Sequence, residues 1–366
     1  MLKIFFDHQK FSTQKFGGIS RYFANIIEEI KKNDDFDYLL GVLNSPNHYI
    51  KDEPQLLNNT LGNSLLNSAS GAKRYKANEW YCDYLLKKNN YDIFHATYYD
   101  PYFIKNLKKP LVTTIHDMTY ERLPEYFWVN DPLTYQKRIS VERADKIIAI
   151  SETTKKDLLK YIDTDESKVE VIYHGIDIET PLKFDEVANL PKEYLLFVGD
   201  RSGYKNFYLF LNTFEKLNKK YPDIHLVLTG GGKLVGADVE IVNRLKIKDK
   251  VHHYNVSDEQ LNFLYKNTLL FVYPSLHEGF GLPILEAFKA QCPMLLSDTD
   301  CFKEIAQDAA EFFSPHSADD LYSKIENLIL DKKQREVLIA KGNLRLLDFP
   351  IEKSVKETLA VYSALK

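Results

Sequence analysis

The sequence predicts an α/β protein built from two open parallel sheets, each flanked by helices. Three observations carry this. Short apolar runs, several of them continuous in Ile, Leu, Val and Phe, alternate with longer stretches of helical period along the whole chain. Continuous runs are how strands covered on both faces read, and strand–helix alternation gives parallel strands joined by right-handed crossovers. The chain has 366 residues, more than one core holds, since single cores stop growing near about 250–300 residues. The alternation pauses once, at Glu179–Lys192, where two prolines and scattered carboxylates follow no period.

The elements follow in order. A first series of strands is expected at Leu2–Asp7, Tyr38–Leu43, Ile93–Thr97, Leu111–His116, Lys146–Ile150 and Val169–His174. A second is expected at Tyr194–Gly199, His225–Thr229, Val251–Tyr254, Leu269–Pro274, Met294–Ser297 and Glu311–Phe313. Helical patterns lie between them, among them Ile19–Lys32, Ala72–Lys88, Ser151–Tyr161, Asn206–Lys219, Asp258–Asn267 and Pro283–Ala290. The pause sets an N-terminal domain over residues 1–182 and a C-terminal domain over residues 183–349. Residues 350–366 carry apolar side chains at helical spacing after Pro350, and this terminal helix is expected to pack back on the N-terminal domain.

Composition removes several classes. With 44% hydrophobic and 27% charged residues, 15 Gly and 14 Pro, the chain is neither disordered nor collagen-like. Net charge is −4 and both halves are balanced, so no nucleic-acid partner is expected. Three cysteines without a CxxC pair fit a reducing compartment. No apolar run approaches the roughly 20 residues of a membrane span. The opening MLKIFFDHQ is too short for a signal peptide. A cytoplasmic protein is expected, with peripheral contact at the inner face of the cell membrane as an option.

Open parallel sheets bind ligands beyond the carboxyl ends of their strands, so with two such sheets the crevice between domains is the default site. The strongest segment there is Phe271–Ala290, FVYPSLHEGFGLPILEAFKA. A buried strand ends at Pro274, a loop carries Glu278, Gly279 and Gly281, and Pro283 is placed at the first helical position. The glycines admit a ligand close to backbone N–H groups, and the helix N-terminus favours an anion such as phosphate. Glu278 and Glu286 are then suited to hydroxyls: Glu286 to a ribose, Glu278 to a sugar. In isolation the two carboxylates are also ordinary helix-start charges. Tyr194–Phe207, YLLFVGDRSGYKNF, ends another strand and presents Arg201 and Lys205, a guanidinium and an ammonium fit to clamp a diphosphate.

Together these strings resemble family 4 glycosyltransferases, which have the GT-B fold: two Rossmann-like domains facing across a crevice. The resemblance covers nearly the whole chain. The Glu278–Glu286 segment is similar to the family's E-x7-E motif, including Phe280 and Leu282 beside the donor. The resemblance implies that Arg201 and Lys205 hold the donor's diphosphate and stabilise the leaving nucleotide. It also places Asn255 and Val256 beside the nucleotide base, and Gly17 and Gly18 under the donor phosphate or reacting sugar. His116, at the strand end in TIHDMTY, is implied near that sugar. Asp200 departs from the pattern, since the family's Arg often follows the strand glycine directly. The GxRxGYKN form resembles a subset that includes bacterial mannosyltransferases.

The resemblance implies a retaining transfer of a sugar from a nucleotide-sugar donor, with no cofactor and no metal. DxD occurs at Asp35–Asp37, Asp163–Asp165 and Asp298–Asp300, about as often as chance gives, and none has a convincing ligand setting. GDP-mannose or another GDP-sugar is favoured over UDP-sugars such as UDP-GlcNAc. The expected acceptor is a glycan, often lipid-linked, docking near Gly17, Gly18, Arg21 and His116. Lys73, Arg74, Lys76, Trp80 and Tyr81 share one expected helix that could contact anionic membrane, with Lys105, Lys108 and Lys109 as a second basic cluster. Two other classes stay open: a nucleotide-sugar 2-epimerase and a catalytically silent nucleotide-sugar-binding protein.

Overall fold

A computed structural model describes residues 1–57 and 70–366. The chain forms two units: Met1–His174 with Glu352–Lys366, and Gly175–Ile351. In the N-terminal unit, strands β1 (Leu2–Phe6), β2 (Phe36–Leu40), β3 (Ile93–Ala96), β4 (Leu111–Ile115), β5 (Lys146–Ala149) and β6 (Val169–Val171) make one parallel sheet in the order β2-β1-β3-β4-β5-β6. In the C-terminal unit, β7 (Tyr194–Val198), β8 (His225–Thr229), β9 (Val251–Tyr254), β10 (Leu270–Tyr273), β11 (Met294–Ser297) and β12 (Glu311–Phe313) make the second, in the order β12-β11-β10-β7-β8-β9.

Both orders reverse direction once. The reversal lies between β1 and β3 in the first sheet and between β7 and β10 in the second. Loops leaving these neighbouring strands run to opposite sides and open a crevice at the strand ends. The central strands are mostly apolar because both their faces are covered: every residue of β3, β4, β10 and β11 is buried. The helix Gly18–Ile30 shows how the cover is made. It buries Tyr22, Phe23, Ile26, Ile27 and Ile30, a stripe at spacings of three and four.

The expected domain boundary at 182/183 differs from the observed division at 174/175. After His174 the chain is already bonded within the C-terminal unit: Ile176 N–H donates to Phe349 O at 3.0 Å, and Ile351 N–H to Ile176 O at 3.1 Å. The Glu179–Lys192 stretch forms no helix or strand. It lies along the helix Asp258–Asn267, which donates from Asn262 Nδ2 to Lys183 O at 3.0 Å. It is therefore a strap on one unit.

The terminal helix Ile351–Ser363 buries Ser354, Val355, Thr358, Val361 and Tyr362. Its Tyr362 hydroxyl lies 2.6 Å from His95 Nδ1, whose Nε2 lies 2.9 Å from Thr114 Oγ1. His95 thus links the last helix to β3 and β4. Burial pulls its imidazole down to about 3, well below the ordinary value near 6.5.

The unfolded chain protonates His95 below pH 6.5 while the folded chain does not, so this stabilisation is complete above pH 6.5 and is lost as pH falls. The stability of the wild type relative to His95→Gln should therefore shrink by about 2 kcal/mol between pH 7.5 and pH 5.0, read by urea unfolding at both values. A difference that stays constant with pH would contradict the buried neutral ring.

Candidate active site

The C-terminal unit assembles its polar side chains at the β7–β10 reversal. β7 runs into Gly199, then Asp200, Arg201 and Ser202, a turn at Gly203–Lys205, and the helix Phe207–Lys220. β10 runs into the Pro274–Gly281 loop and the helix Leu282–Lys289. The two loops are tied directly. Lys205 Nζ lies 2.6 Å from Glu278 Oε1, with each side chain 14% exposed, and Leu276 N–H donates to Tyr204 O at 2.8 Å. Burial opposes the Lys205 charge, but Glu278 outweighs it and holds the ammonium well above the usual lysine range. Burial and the same carboxylate push the Tyr273 phenol far up.

Arg201 is held elsewhere. Its Nε meets Asp238 Oδ2 at 2.8 Å, and its terminal nitrogens donate to the carbonyls of Gly230, Gly231, Gly232 and Lys233 at 3.0–3.3 Å. The structure therefore pairs Lys205 with Glu278 and Arg201 with the loop after β8; the two cations do not share one partner. Gly231 has φ +64°, and a Cβ there would stand 2.7 Å from Asp200 Cα. Only glycine fits a backbone drawn so close in a left-handed conformation.

The rest of the E-x7-E segment is half packing. Gly279 is buried. Phe280 is 2% exposed, edge-on to Phe349 at 5.8 Å. Gly281 takes φ +93° ahead of the helix, whose first residue is Leu282. Pro283 is thus second in the helix, one place later than expected. Glu286 Oε2 receives Tyr265 Oη at 3.4 Å. Asn255 and Val256 follow β9, exposed and half-buried. Ser257 closes a reciprocal capping box with Gln260 on the next helix.

In the N-terminal unit His116 follows β4 and is 7% exposed. Neither ring nitrogen has a hydrogen-bond partner among the described residues. Its ring stacks on His174 at 6.0 Å. Burial first, then the positive fields of His174, Lys10, His95 and Lys137, keep it neutral. Gly17 caps the helix Gly18–Ile30, but Gln14 Oε1 already accepts from Ser20 N–H at 3.1 Å. A Cβ on Gly17 would meet that Gln14 side chain at 2.5 Å. Gly17 thus makes room for a side-chain cap, and Gly18 opens the helix, exposed.

Sequence reasoning missed other residues at the strand ends. Asp7, after β1, is fully buried and accepts from Thr97 N–H at 2.8 Å and from Gln9 Nε2 at 2.7 Å. Burial pushes its carboxyl up to about 6. Lys10 sits 3.3 Å over the Tyr98 ring, and burial pulls its ammonium down to about 8. Ser275 and Ser297 bury hydroxyls that have no partner among the described residues, at the ends of β10 and β11. The signal available for Asp7 and Ser275 was position alone, at the ends of the strands beside each reversal. Among the described residues no three His, Cys, Asp or Glu converge as metal ligands, and no helix is long and apolar enough to cross a membrane.

Known proteins match this architecture. Residues 16–180 match the family model described as Glycosyltransferase Family 4, and residues 179–345 match Glycosyl transferases group 1. The O-antigen chain mannosyltransferase RfbU of Salmonella typhimurium is 28% identical over 67% of this chain and 67% of its own. The O-antigen chain mannosyltransferase B of Escherichia coli is 24% identical over 73% and 74%. Among solved structures, sucrose-phosphate synthase of Thermosynechococcus elongatus superposes with a TM-score of 0.75 at 17% identity, covering 100% and 99% of the two chains. HepE of Anabaena, in complex with UDP and glucose, gives 0.72 at 17%, covering both chains fully.

Arg201→Ala should destabilise the C-terminal unit by about 3 kcal/mol, because it leaves Asp238 buried without its cation. Asp238→Ala should cost a similar amount, and the double variant less than the sum. Unfolding curves for Arg201→Ala that overlay the wild type would remove the strut role.

Proposed function

Because this chain belongs to the family 4 glycosyltransferases, we propose that it transfers mannose from GDP-mannose to a glycan acceptor with retention of configuration. The observation that carries the catalytic reading is the Lys205–Glu278 pair at the β7–β10 reversal. The donor reading leans on the two O-antigen mannosyltransferase relatives.

In this reading the Lys205 ammonium meets the donor diphosphate, and the N-terminus of the helix Leu282–Lys289 adds its dipole. Glu286 takes ribose hydroxyls and Glu278 a hydroxyl of the sugar. Glu278 already has an ammonium at 2.6 Å, which makes it a positioning carboxylate and a poor nucleophile. The transfer then runs on one face of the sugar. The anomeric carbon–phosphate oxygen bond breaks, the bond to the acceptor oxygen forms, and the acceptor's proton passes to the departing diphosphate. Arg201 shapes the adjoining loop. The neutral, unpartnered His116 ring gives or accepts a hydrogen bond at the sugar without adding charge.

A lipid-linked acceptor would bring the enzyme to an anionic membrane surface. Trp80 supports this contact, being 67% exposed and stacked on Tyr84 at 6.2 Å, with Lys88 over the Tyr84 ring. A second reading keeps the mechanism and exchanges the donor for a UDP-sugar. It is favoured by the UDP and glucose in the HepE complex.

Thermal unfolding with GDP, UDP, dTDP and their sugar conjugates tests the donor. A ligand at 100 times its dissociation constant adds about 2.7 kcal/mol of stability. GDP-mannose should raise the melting temperature without added metal, and incubation with a mannose-containing glycan should give an α-linked product by NMR. A shift with UDP-sugars alone overturns the donor. No shift with any nucleotide, with or without Mg²⁺, overturns the site.

A further inference from the structure

A buried ion pair lies behind the His116 turn and plays no part in the transfer described above. Lys137, in the helix Leu133–Arg143, is 0% exposed. Its ammonium donates to Asp117 O at 2.9 Å and to Glu121 Oε2 at 2.9 Å. It also lies 5.3 Å from the centre of the Tyr99 ring. Tyr99 is 1% exposed, and its hydroxyl accepts the backbone N–H of His116 at 2.9 Å. Ser140, on the same helix as Lys137, donates to Tyr99 O at 3.1 Å. One helix therefore grips both residues of the His116–Asp117 turn: the amide of the first through Tyr99, the carbonyl of the second through Lys137.

Stability alone accounts poorly for this arrangement. A buried ion pair is worth little net stability, and apolar residues of similar volume often replace it without loss. Glu121 Oε1 also has no partner among the described residues. What the pair supplies is direction: an ammonium fixed on one main-chain oxygen next to a ring whose two nitrogens both lack a hydrogen-bond partner among the described residues.

We propose that Lys137 and Tyr99 are positioning residues that clamp the His116–Asp117 turn from behind and aim the His116 ring at the reacting sugar. The inference rests on the proposed role of His116 in transfer. Lys137 also adds a positive field at the ring. The other groups around that ring are Tyr22 at 6.0 Å, Phe23 at 6.3 Å and His174 at 6.0 Å, with Lys10 and His95 acting through their fields. Removing the Lys137 cation makes the protonated ring less unfavourable, so the ring's titration moves upward towards 6.5.

The test is the double substitution Glu121→Leu/Lys137→Met, which removes the pair without stranding a charge, beside Tyr99→Phe, which deletes one acceptor and keeps the ring. Transfer kinetics, thermal unfolding and histidine NMR in ¹³C-labelled protein are read on each, with His116→Gln assigning the ring resonance. The double variant should keep its melting temperature within a few degrees, lose at least tenfold in kcat and hold the donor KM within about twofold. Its His116 titration should rise. Tyr99→Phe should lose kcat in the same way. Adding His116→Gln to the double variant should cost far less than it costs the wild type. Wild-type kcat in the double variant with an unmoved titration overturns the proposal. If the double variant does not fold, unchanged kcat in Tyr99→Phe overturns it. A wild type that turns over no nucleotide sugar defeats the functional reading instead, and the ring titration then decides the positioning role separately.

Discussion

The ion pair between Lys205 and Glu278 is the constraint on which the C-terminal unit's strand-end geometry depends. β7 and β10 are hydrogen-bonded neighbours, yet the loops that leave them belong to crossovers in opposite directions. Such loops diverge unless something spans them. Here a 2.6 Å contact between side chains 14% exposed does so, reinforced by the backbone bond from Leu276 to Tyr204. A pair this sheltered gains little net stability once desolvation is counted. Its value lies in keeping two opposite charges in fixed places at the strand ends. On the proposed reading a diphosphate answers the ammonium and a sugar hydroxyl answers the carboxylate.

In the N-terminal unit burial drives several groups at the strand ends towards their neutral forms, beside the charged Lys137–Glu121 pair. Burial holds His8, His95 and His174 near 3 and His116 well below the usual range, and lifts Asp7 to about 6. Asp7 binds the ends of β1 and β3 together through Thr97 and Gln9. Of these rings His116 has neither nitrogen partnered among the described residues, and on the proposed reading a neutral ring of that kind suits an uncharged sugar, since it exchanges hydrogen bonds without attracting counter-ions.

The sheets were legible because buried parallel strands leave a coarse record. Runs such as Tyr194–Val198 and Leu270–Tyr273 are apolar or aromatic at every position, and all twelve strands lie where such runs were expected, to within three residues at their ends. The E-x7-E string was legible for a different reason, its glycines and proline being tied to one strand–loop–helix shape. Side-chain pairing was not legible. Arg201 and Lys205 are four apart and alike in charge, yet one turns to Asp238 and the other to Glu278, partners 37 and 73 positions away. The domain boundary was misplaced because a proline-rich, aperiodic stretch reads as a linker whether or not it is strapped down. Ile176 and Phe349 hold the chain to the C-terminal unit before that stretch begins.

The glycine string after β8 shows how the sign of a partner separates two readings of one composition. Gly230, Gly231 and Gly232 all have positive φ, as they would in a loop wrapped on phosphate. Such a loop directs N–H groups at its ligand. Here the carbonyls of these residues converge on the Arg201 guanidinium, with Asp238 completing the set. The loop is a receptor for a cation of its own chain, and Gly231 is required by the close approach to Asp200. On the proposed reading, the two cations of the β7 segment therefore act by different physics. Lys205 contributes charge to the donor site. Arg201, its guanidinium already committed, contributes shape by locking the β8 loop against the β7 loop.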